Sequence, residues 1–358
     1  KFGLIMDNKK TVAYLTRHTV SNYGSVLQAY ATQTALEKLG CNAVCINYYR
    51  TDEKTENIVD TRLKSVSAKW NKNALTRLFF NRKIVKVTDK EYNSETELKS
   101  DIPKADIYMT GSDQVWNTVV CGEIDPVYFL SFLPKRVKKI AYAASFGGAS
   151  VEEKNKTRIK SWLKEYNKIT IRENSGIKIA SELGIHAEQV LDPTFLLDKN
   201  EWEKLIPNRK CDEKYVLVYQ LHPNKQFDAY AKEFAKRKGL KLYRVSHCFH
   251  HIVRSGKFIC CPPVGEFLWY IKNAEYFLTD SFHGTAFSIG LNTQFVDVLP
   301  KSERISSILE LIGYENRILK SYDDFKIAEE KIDFNRVNEI ISTERKKSFD
   351  ILKDMIGD

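Results

Sequence analysis

No run of about 18 apolar residues occurs in this chain, which excludes a membrane-spanning helix. Nothing from Lys1 onward reads as a secretory leader. Cysteine is sparse, with seven scattered residues in 358. Neither Cys41 with Cys45 nor the adjacent Cys260 and Cys261 builds a disulfide framework, so a reducing, cytoplasmic compartment is expected. The first apolar run is followed by neither a G-x-G-x-x-G turn nor a P-loop lysine, which argues against a dinucleotide enzyme and a P-loop NTPase. Helix-turn-helix, zinc-finger and aromatic RNA-binding signatures are missing, so nucleic acid is not an expected partner. His247, Cys248, His250, His251, Cys260 and Cys261 match no standard zinc spacing, and neither a metal nor a cofactor is expected.

Acidic residues are the minority charge, 46 against 56 Lys and Arg, for a net charge of +10. The plain reading is solvated lysine-rich faces. The sharper one is an acidic ligand: a phosphorylated donor, an anionic glycan or an anionic membrane surface. Residues 61–90 concentrate the charge, with nine Lys or Arg and the single acid Asp89. Leu63, Val66, Trp70, Leu75, Leu78 and Phe79 recur there near helical spacing. This basic amphipathic insertion either packs on its domain or docks to an anionic membrane or glycan.

The 43% apolar content is that of a globular protein, and the length suits two α/β domains. Thr11 to Leu15 reads as a strand, Val26 to Leu39 as a helix closed by Gly40, and Ala43 to Tyr48 as a strand. That β-loop-α-β order opens a doubly wound parallel sheet. Further strands are expected at Ala105–Gly111, Lys139–Ser145 and Lys168–Arg172, with helices near 151–167 and up to Leu183. A second α/β pattern follows, with strands at Tyr215–Gln220, Lys241–Val245, Glu275–Thr279 and, as the last, Phe295–Val298. Its helices are expected at Lys225–Arg237, Gly265–Asn273 and His283–Leu291. The expected units are an N-terminal Rossmann-like domain 1–184, a C-terminal one 185–332, and a helix within 333–358 packing back on the first.

Polar clusters stand just after these strands, where parallel α/β sheets bind ligands. The most informative is Asp280-Ser281-Phe282-His283-Gly284, a turn between a strand and a helix. It joins a group that titrates near neutrality to the free N–H donors of a helix start. Its plain reading is a histidine filling a helix start. Arg172 ends a strand and can grip carboxylate or phosphate, or else pair with Glu173. Gly111-Ser112-Asp113-Gln114-Val115-Trp116-Asn117 places hydroxyl-reading groups beside an aromatic plate, or forms an Asx-turn around a core tryptophan. Asn22, Tyr23, Gly24 and Gln28 stand at the first strand-to-helix turn, where Asn22 also suits a helix cap.

Together these motifs resemble the polysaccharide pyruvyl transferase family. The matching stretches are Asn22 to Tyr30, Gly111 to Asn117, Tyr142 to Gly147 with Ser145 and Phe146, Ile171 to Glu173, Val190 to Thr194 and Thr279 to Gly284, in the family's order. The resemblance implies two domains similar to those of B-type glycosyltransferases. It implies transfer of pyruvate from phosphoenolpyruvate onto two hydroxyls of a sugar or lipid-linked oligosaccharide, as a cyclic ketal, in surface-glycan synthesis at the inner face of the membrane. His283 and Arg172 would be catalytic, with Ser145, Phe146, Asp280, Ser281 and Gly284 joining the two turns above in binding substrate. Family members commonly read Arg-Leu-His-Gly where this chain has Ser281-Phe282-His283-Gly284. The missing donor-gripping charge is looked for at Lys301 or Arg304. A nucleotide-sugar transferase on the same scaffold and a non-catalytic glycan-binding protein remain the alternatives.

Overall fold

The computed structural model describes residues 9–20, 22–50, 84–117, 124–246, 249–298 and 302–357. The basic segment as far as residue 83, and Lys301, lie outside them.

The first sheet holds β1 (Thr11–Leu15), β2 (Asn42–Cys45), β3 (Ile107–Thr110), β4 (Lys138–Ala144), β5 (Lys168–Ile171) and β6 (Glu188–Gln189). All are parallel, in the order β2-β1-β3-β4-β5-β6. Its helices are α1 (Tyr23–Lys38), α2 (Glu95–Ser100), α3 (Glu153–Leu163) and α4 (Asn174–Glu182), and α5 (Lys199–Glu203) follows. The second sheet holds β7 (Tyr215–Tyr219), β8 (Lys241–Ser246), β9 (Lys257–Cys260), β10 (Tyr276–Thr279), β11 (Phe295–Val298) and β12 (Ile318–Leu319). It too is parallel, in the order β12-β11-β10-β7-β8-β9. Its helices are α6 (Lys225–Arg237), α7 (Val264–Lys272), α8 (Phe282–Leu291) and α9 (Glu303–Ile312), and α10 (Phe334–Gly357) ends the chain. The protein is therefore α/β with two doubly wound parallel sheets. Phe295–Val298 is not the last strand, because Ile318 and Leu319 pair beside Asp297 and Val298. A two-residue strand is too short for any periodicity to show. Among the described residues no helix is long and apolar enough to cross a membrane.

Two helices join the halves. Asn22 caps α1 by accepting from the Gly24 N–H at 2.8 Å, and Gly40, at φ 81°, turns the chain after its end. Nearly the whole of α1 is buried, as is nearly the whole of α8. A helix buried on all sides has layers on all sides. One apolar cluster runs without a break from Tyr14 and Leu27 under the first sheet to Phe267 and Phe287 under the second. Tyr23 is its bolt: its ring stacks on Phe267 at 4.2 Å and its hydroxyl donates to the Pro262 carbonyl at 2.6 Å. Burying one such ring contributes roughly 1.5–3 kcal/mol. From α10, Ser348 Oγ accepts from the Leu191 N–H at 3.0 Å, and the Ile356 carbonyl accepts from Lys10 Nζ at 2.8 Å.

The strand orders locate a crevice in each half. In the first sheet the order reverses between β1 and β3, and in the second between β7 and β10. Crevices of open α/β sheets lie at such reversals, beyond the carboxyl ends of the strands.

Candidate functional site

A cleft of about 590 Å³ lies there, and the four loops flanking the two reversals line it. The loop after β1 and the start of α1 contribute Asn22 and Ser25, and the loop after β3 Asp113, Gln114 and Asn117. The loop after β7 contributes His222 and Asn224, and the turn after β10 with the start of α8 contributes Asp280 to His283. Gly147 and, from the start of α9, Arg304 complete the walls.

On the first-sheet wall, Asp113 adopts φ 72°, a left-handed conformation uncommon for a side-chain-bearing residue. Ser25 Oγ donates to its Oδ2 at 2.5 Å and the Gln114 N–H to its Oδ1 at 2.8 Å. These bonds hold the carboxylate at the mouth of α1. Burial pushes Asp113 up, but His283, Arg172, Arg17 and the Ser25 bond together bring it well below the usual carboxylate range.

Behind this wall Arg172, at the end of β5, is held by acids. Its Nη1 donates to Asp192 Oδ2 at 2.6 Å and to Ser112 Oγ at 3.3 Å. Asp113 lies 3.7 Å from Nη2 and Glu173 3.6 Å from Nε. The guanidinium also sits 4.8 Å from the centre of the Phe282 ring. Arg172 lines a neighbouring cavity of about 330 Å³ rather than the cleft itself, and Phe282 and Arg304 form the partition between the two. Asp192 is fixed further by Ser112 Oγ at 2.9 Å and by Thr194, whose N–H and hydroxyl donate at 3.0 and 2.7 Å. Burial raises its pKa, yet Arg172, His283 and Thr194 leave it lowered. Burial wins for Glu173, which is raised despite Arg172 and Arg304.

The second-sheet wall is the turn into α8. Ser281 caps the helix, accepting from the Gly284 N–H at 3.3 Å. Gly284 is required there, since a Cβ would come within 2.5 Å of Thr279 Oγ1. His283 follows in the first turn, its side chain only 8% exposed and its Nε2 3.9 Å from Asp192 Oδ2. Nε2 has no hydrogen-bond partner among the described residues. Burial, with Arg172 and Arg304, pushes the imidazole down to about 4, against the pull of Asp192 and Asp113. At neutral pH the ring is therefore uncharged.

Arg304 brings a further cation to the cleft wall. The Gln114 carboxamide oxygen belongs on its side, where Nη1 and Nη2 each lie 2.7 Å away. Burial and Arg172 push it down to about 10 despite Asp113, Glu173 and Asp192, so it stays charged at neutral pH.

Not every sequence candidate reaches the cleft. Tyr23 is packed between the domains. Gln28 is buried, its Nε2 donating to Thr16 Oγ1 at 2.7 Å and to the Ser25 carbonyl at 2.9 Å. Gly111 packs on Thr16, and Gly24 packs on His283. Ser112 serves Arg172 and Asp192. Trp116 is a core residue, its Nε1 donating to the Tyr128 carbonyl at 3.2 Å and its ring against Phe129 and Phe146. Ser145 accepts from the Gly147 N–H at 3.1 Å, and the Phe146 N–H donates to Glu173 at 3.0 Å. Asn22, Asp113, Gln114, Asn117, Asp280, Ser281 and His283 do share the cleft. Sequence reasoning missed His222, a single histidine in a loop without a surrounding motif. Its one signal is its place just after β7.

The fold recurs in solved structures. S. aureus MnaA in its complex with UDP superposes with a TM-score of 0.56 at 11% identity, over 93% of this chain and 91% of that one. The Methanocaldococcus jannaschii UDP-GlcNAc 2-epimerase, in complex with UDP-GlcNAc and UDP, gives 0.53 at 14% identity over 98% and 100%. Arabidopsis thaliana UGT89C1 complexed with quercetin gives 0.50 at 10% over 97% and 99%. At these identities the likeness is one of fold, that of B-type glycosyltransferases and UDP-GlcNAc 2-epimerases. No curated protein matches the sequence. The family model for polysaccharide pyruvyl transferase matches residues 22–300, from Asn22 through the loops after β3, β7 and β10, and the chain belongs to that family.

Proposed function

We propose that this protein moves pyruvate from phosphoenolpyruvate onto two hydroxyls of a sugar, free or lipid-linked, forming a cyclic ketal. One observation carries this reading beyond family membership. His283 shares a single cleft with Arg304 and the capped N-terminus of α8, so a proton donor and two anion-binding elements face the same ligand. Phosphoenolpyruvate needs both. Its carboxylate and phosphate require cations and N–H donors, and its methylene carbon must receive a proton.

The donor's own charge resolves the low pKa of His283. A dianionic phosphate beside the imidazole favours its charged form and opposes the desolvation that now keeps it neutral. Binding the donor therefore arms the acid. In the first step the methylene carbon takes a proton from His283 while a sugar oxygen bonds to the neighbouring carbon and loses its own proton. In the second, another hydroxyl attacks that carbon, the carbon–oxygen bond to phosphate breaks, and the second hydroxyl proton leaves with hydrogen phosphate. Arg304 and the N–H groups at the start of α8 hold the anion as charge shifts onto the leaving phosphate. Arg172, committed to Asp192, acts by fixing the carboxylates that face His283. The second domain is taken as the donor side and the Asp113 to Asn117 turn as the acceptor side.

The test is phosphate release from phosphoenolpyruvate with candidate glycans, with the ketal methyl group followed by NMR. His283→Ala is expected to lower turnover by about 10²–10⁴-fold with the fold intact. Consumption of UDP-sugars in place of phosphoenolpyruvate would assign the cleft to glycosyl transfer. Acceptor binding without turnover, indifferent to His283→Ala, would leave a glycan-binding protein.

A further inference from the structure

A second histidine enters the same cleft from the opposite side of the strand reversal. His222 lies on the loop after β7, and its Nδ1 is 3.1 Å from Asp280 Oδ2 on the turn after β10. Asp280 is itself held by that loop, accepting from the Leu221 N–H at 2.7 Å and the His222 N–H at 3.0 Å. The carboxylate is therefore fixed in place before it orients the ring. Such a pairing keeps the proton on Nδ1 and leaves Nε2 as the acceptor. The ring is 80% exposed, whereas Asp280 is 9% exposed. His283, at 8%, is boxed in by comparison.

The chemistry leaves a role open. Ketal formation must remove a proton from a hydroxyl as well as deliver one to carbon, and His283 is assigned only to delivery. Resting on the pyruvyl-transfer reading, we propose that His222, oriented by Asp280, is the general base that deprotonates the attacking sugar hydroxyl. Nε2 takes the hydroxyl proton as the sugar oxygen bonds to the donor's central carbon, and His283 gives its proton to the methylene carbon in the same step. The imidazolium on His222 then returns its proton to solvent, and solvent recharges His283. No net proton is gained or lost, and no co-reactant is needed.

The surroundings suit a base. The Asp280 hydrogen bond raises the His222 pKa above its ordinary value, against partial burial and Arg304, which lower it. The other titratable or charged groups nearby are His283 and Asp113 on the cleft walls. Tyr322 also lies close, its hydroxyl accepting from Asn224 on the histidine's own loop at 2.7 Å.

The experiment compares the wild-type protein with His222→Gln and His222→Ala, using phosphoenolpyruvate and an acceptor that supports turnover. The ring is exposed, so both variants keep their packing, which circular dichroism verifies. The expected result is a fall of about 10²–10⁴-fold in kcat/KM for the acceptor with KM for phosphoenolpyruvate unchanged. The acidic limb of the wild-type pH profile flattens in His222→Gln, and imidazole restores part of the activity of His222→Ala. Turnover by His222→Gln within threefold of wild type, with the acidic limb retained, overturns the role of His222 and leaves pyruvyl transfer standing. Failure of the wild-type protein to release phosphate with any acceptor overturns both.

Discussion

Gly24 and His283 face each other across the domain boundary with no room between them. A Cβ on Gly24 would stand 2.2 Å from His283 Nδ1 and 2.5 Å from its Cβ. The first turn of α1 thus forms one wall of the slot that holds the imidazole, and Asp192, 3.9 Å from Nε2, lies beyond it. The imidazole at the start of α8 is thus held by the backbone of α1.

Gly24→Ala tests that contact. Alanine is favoured over glycine inside a helix by about 1 kcal/mol, so intrinsic propensity alone predicts a stabler protein. The clash predicts the reverse: a lower melting temperature, and a fall of at least about tenfold in turnover as the ring leaves its slot. Thermal melts and phosphate-release kinetics read the two effects separately. Unchanged turnover would mean that His283 acts without being held.

Arg304 is expected to behave as the donor's cation. Losing a charge-assisted hydrogen bond costs about 1.5–3 kcal/mol, or roughly 10- to 150-fold. Arg304→Ala should show that loss chiefly in KM for phosphoenolpyruvate. Arg304→Lys should recover only part of it, since one ammonium cannot keep both Nη contacts with Gln114 and hold the anion as well. A loss confined to kcat would place Arg304 on the transition state alone.

How much of this was legible depended on whether the signal was local. Lys225–Arg237 and Phe295–Val298 carry their own periodicity or β-type run, and both elements stand where the sequence puts them. Asp280 and His283 stand in a motif after a strand, and the cleft holds both. His222 and Arg304 are isolated polar residues in sequence, and the pairing of β10 between β7 and β11 brings the segments that carry them to Asp280 and His283. Trp116 shows the converse. Its neighbours Asp113, Gln114 and Asn117 line the cleft, while the indole turns to a core of Phe129, Phe146 and Tyr166 that lies far off in sequence.

Beneath α8, Asp297 predicts a dependence of stability on pH. Thr285 Oγ1 donates to its Oδ1 at 2.6 Å, and Oδ2 has no hydrogen-bond partner among the described residues. Burial, helped by Asp280 and opposed by Thr285, pushes this carboxyl up to about 8. Its folded pKa exceeds the unfolded value of about 3.9, so its contribution is full below that value and is lost as pH rises through about 8. Asp297→Asn cannot ionise. Its melting temperature should gain on wild type from pH 5 to pH 8, and parallel pH dependences would show that the carboxyl ionises at its ordinary value.

His283 carries the opposite sign. Its folded pKa of about 4 lies below the unfolded value of about 6.5, so the unfolded chain binds the extra proton between them. The stability associated with the neutral ring is present above about 6.5 and is lost as pH falls towards about 4, a loss of up to about 3 kcal/mol. Asp113 and Asp192 are lowered carboxylates whose own losses fall below about 3.9, so the two windows separate. Denaturant melts of His283→Asn should lack the decline between pH 6.5 and 4.5 while keeping the one at lower pH. The imidazole resonance of the wild-type protein should titrate near 4 alone and move towards neutrality when phosphoenolpyruvate binds. A midpoint that does not move would mean the donor's charge is not felt at His283, and the arming of the acid by its own substrate would fail.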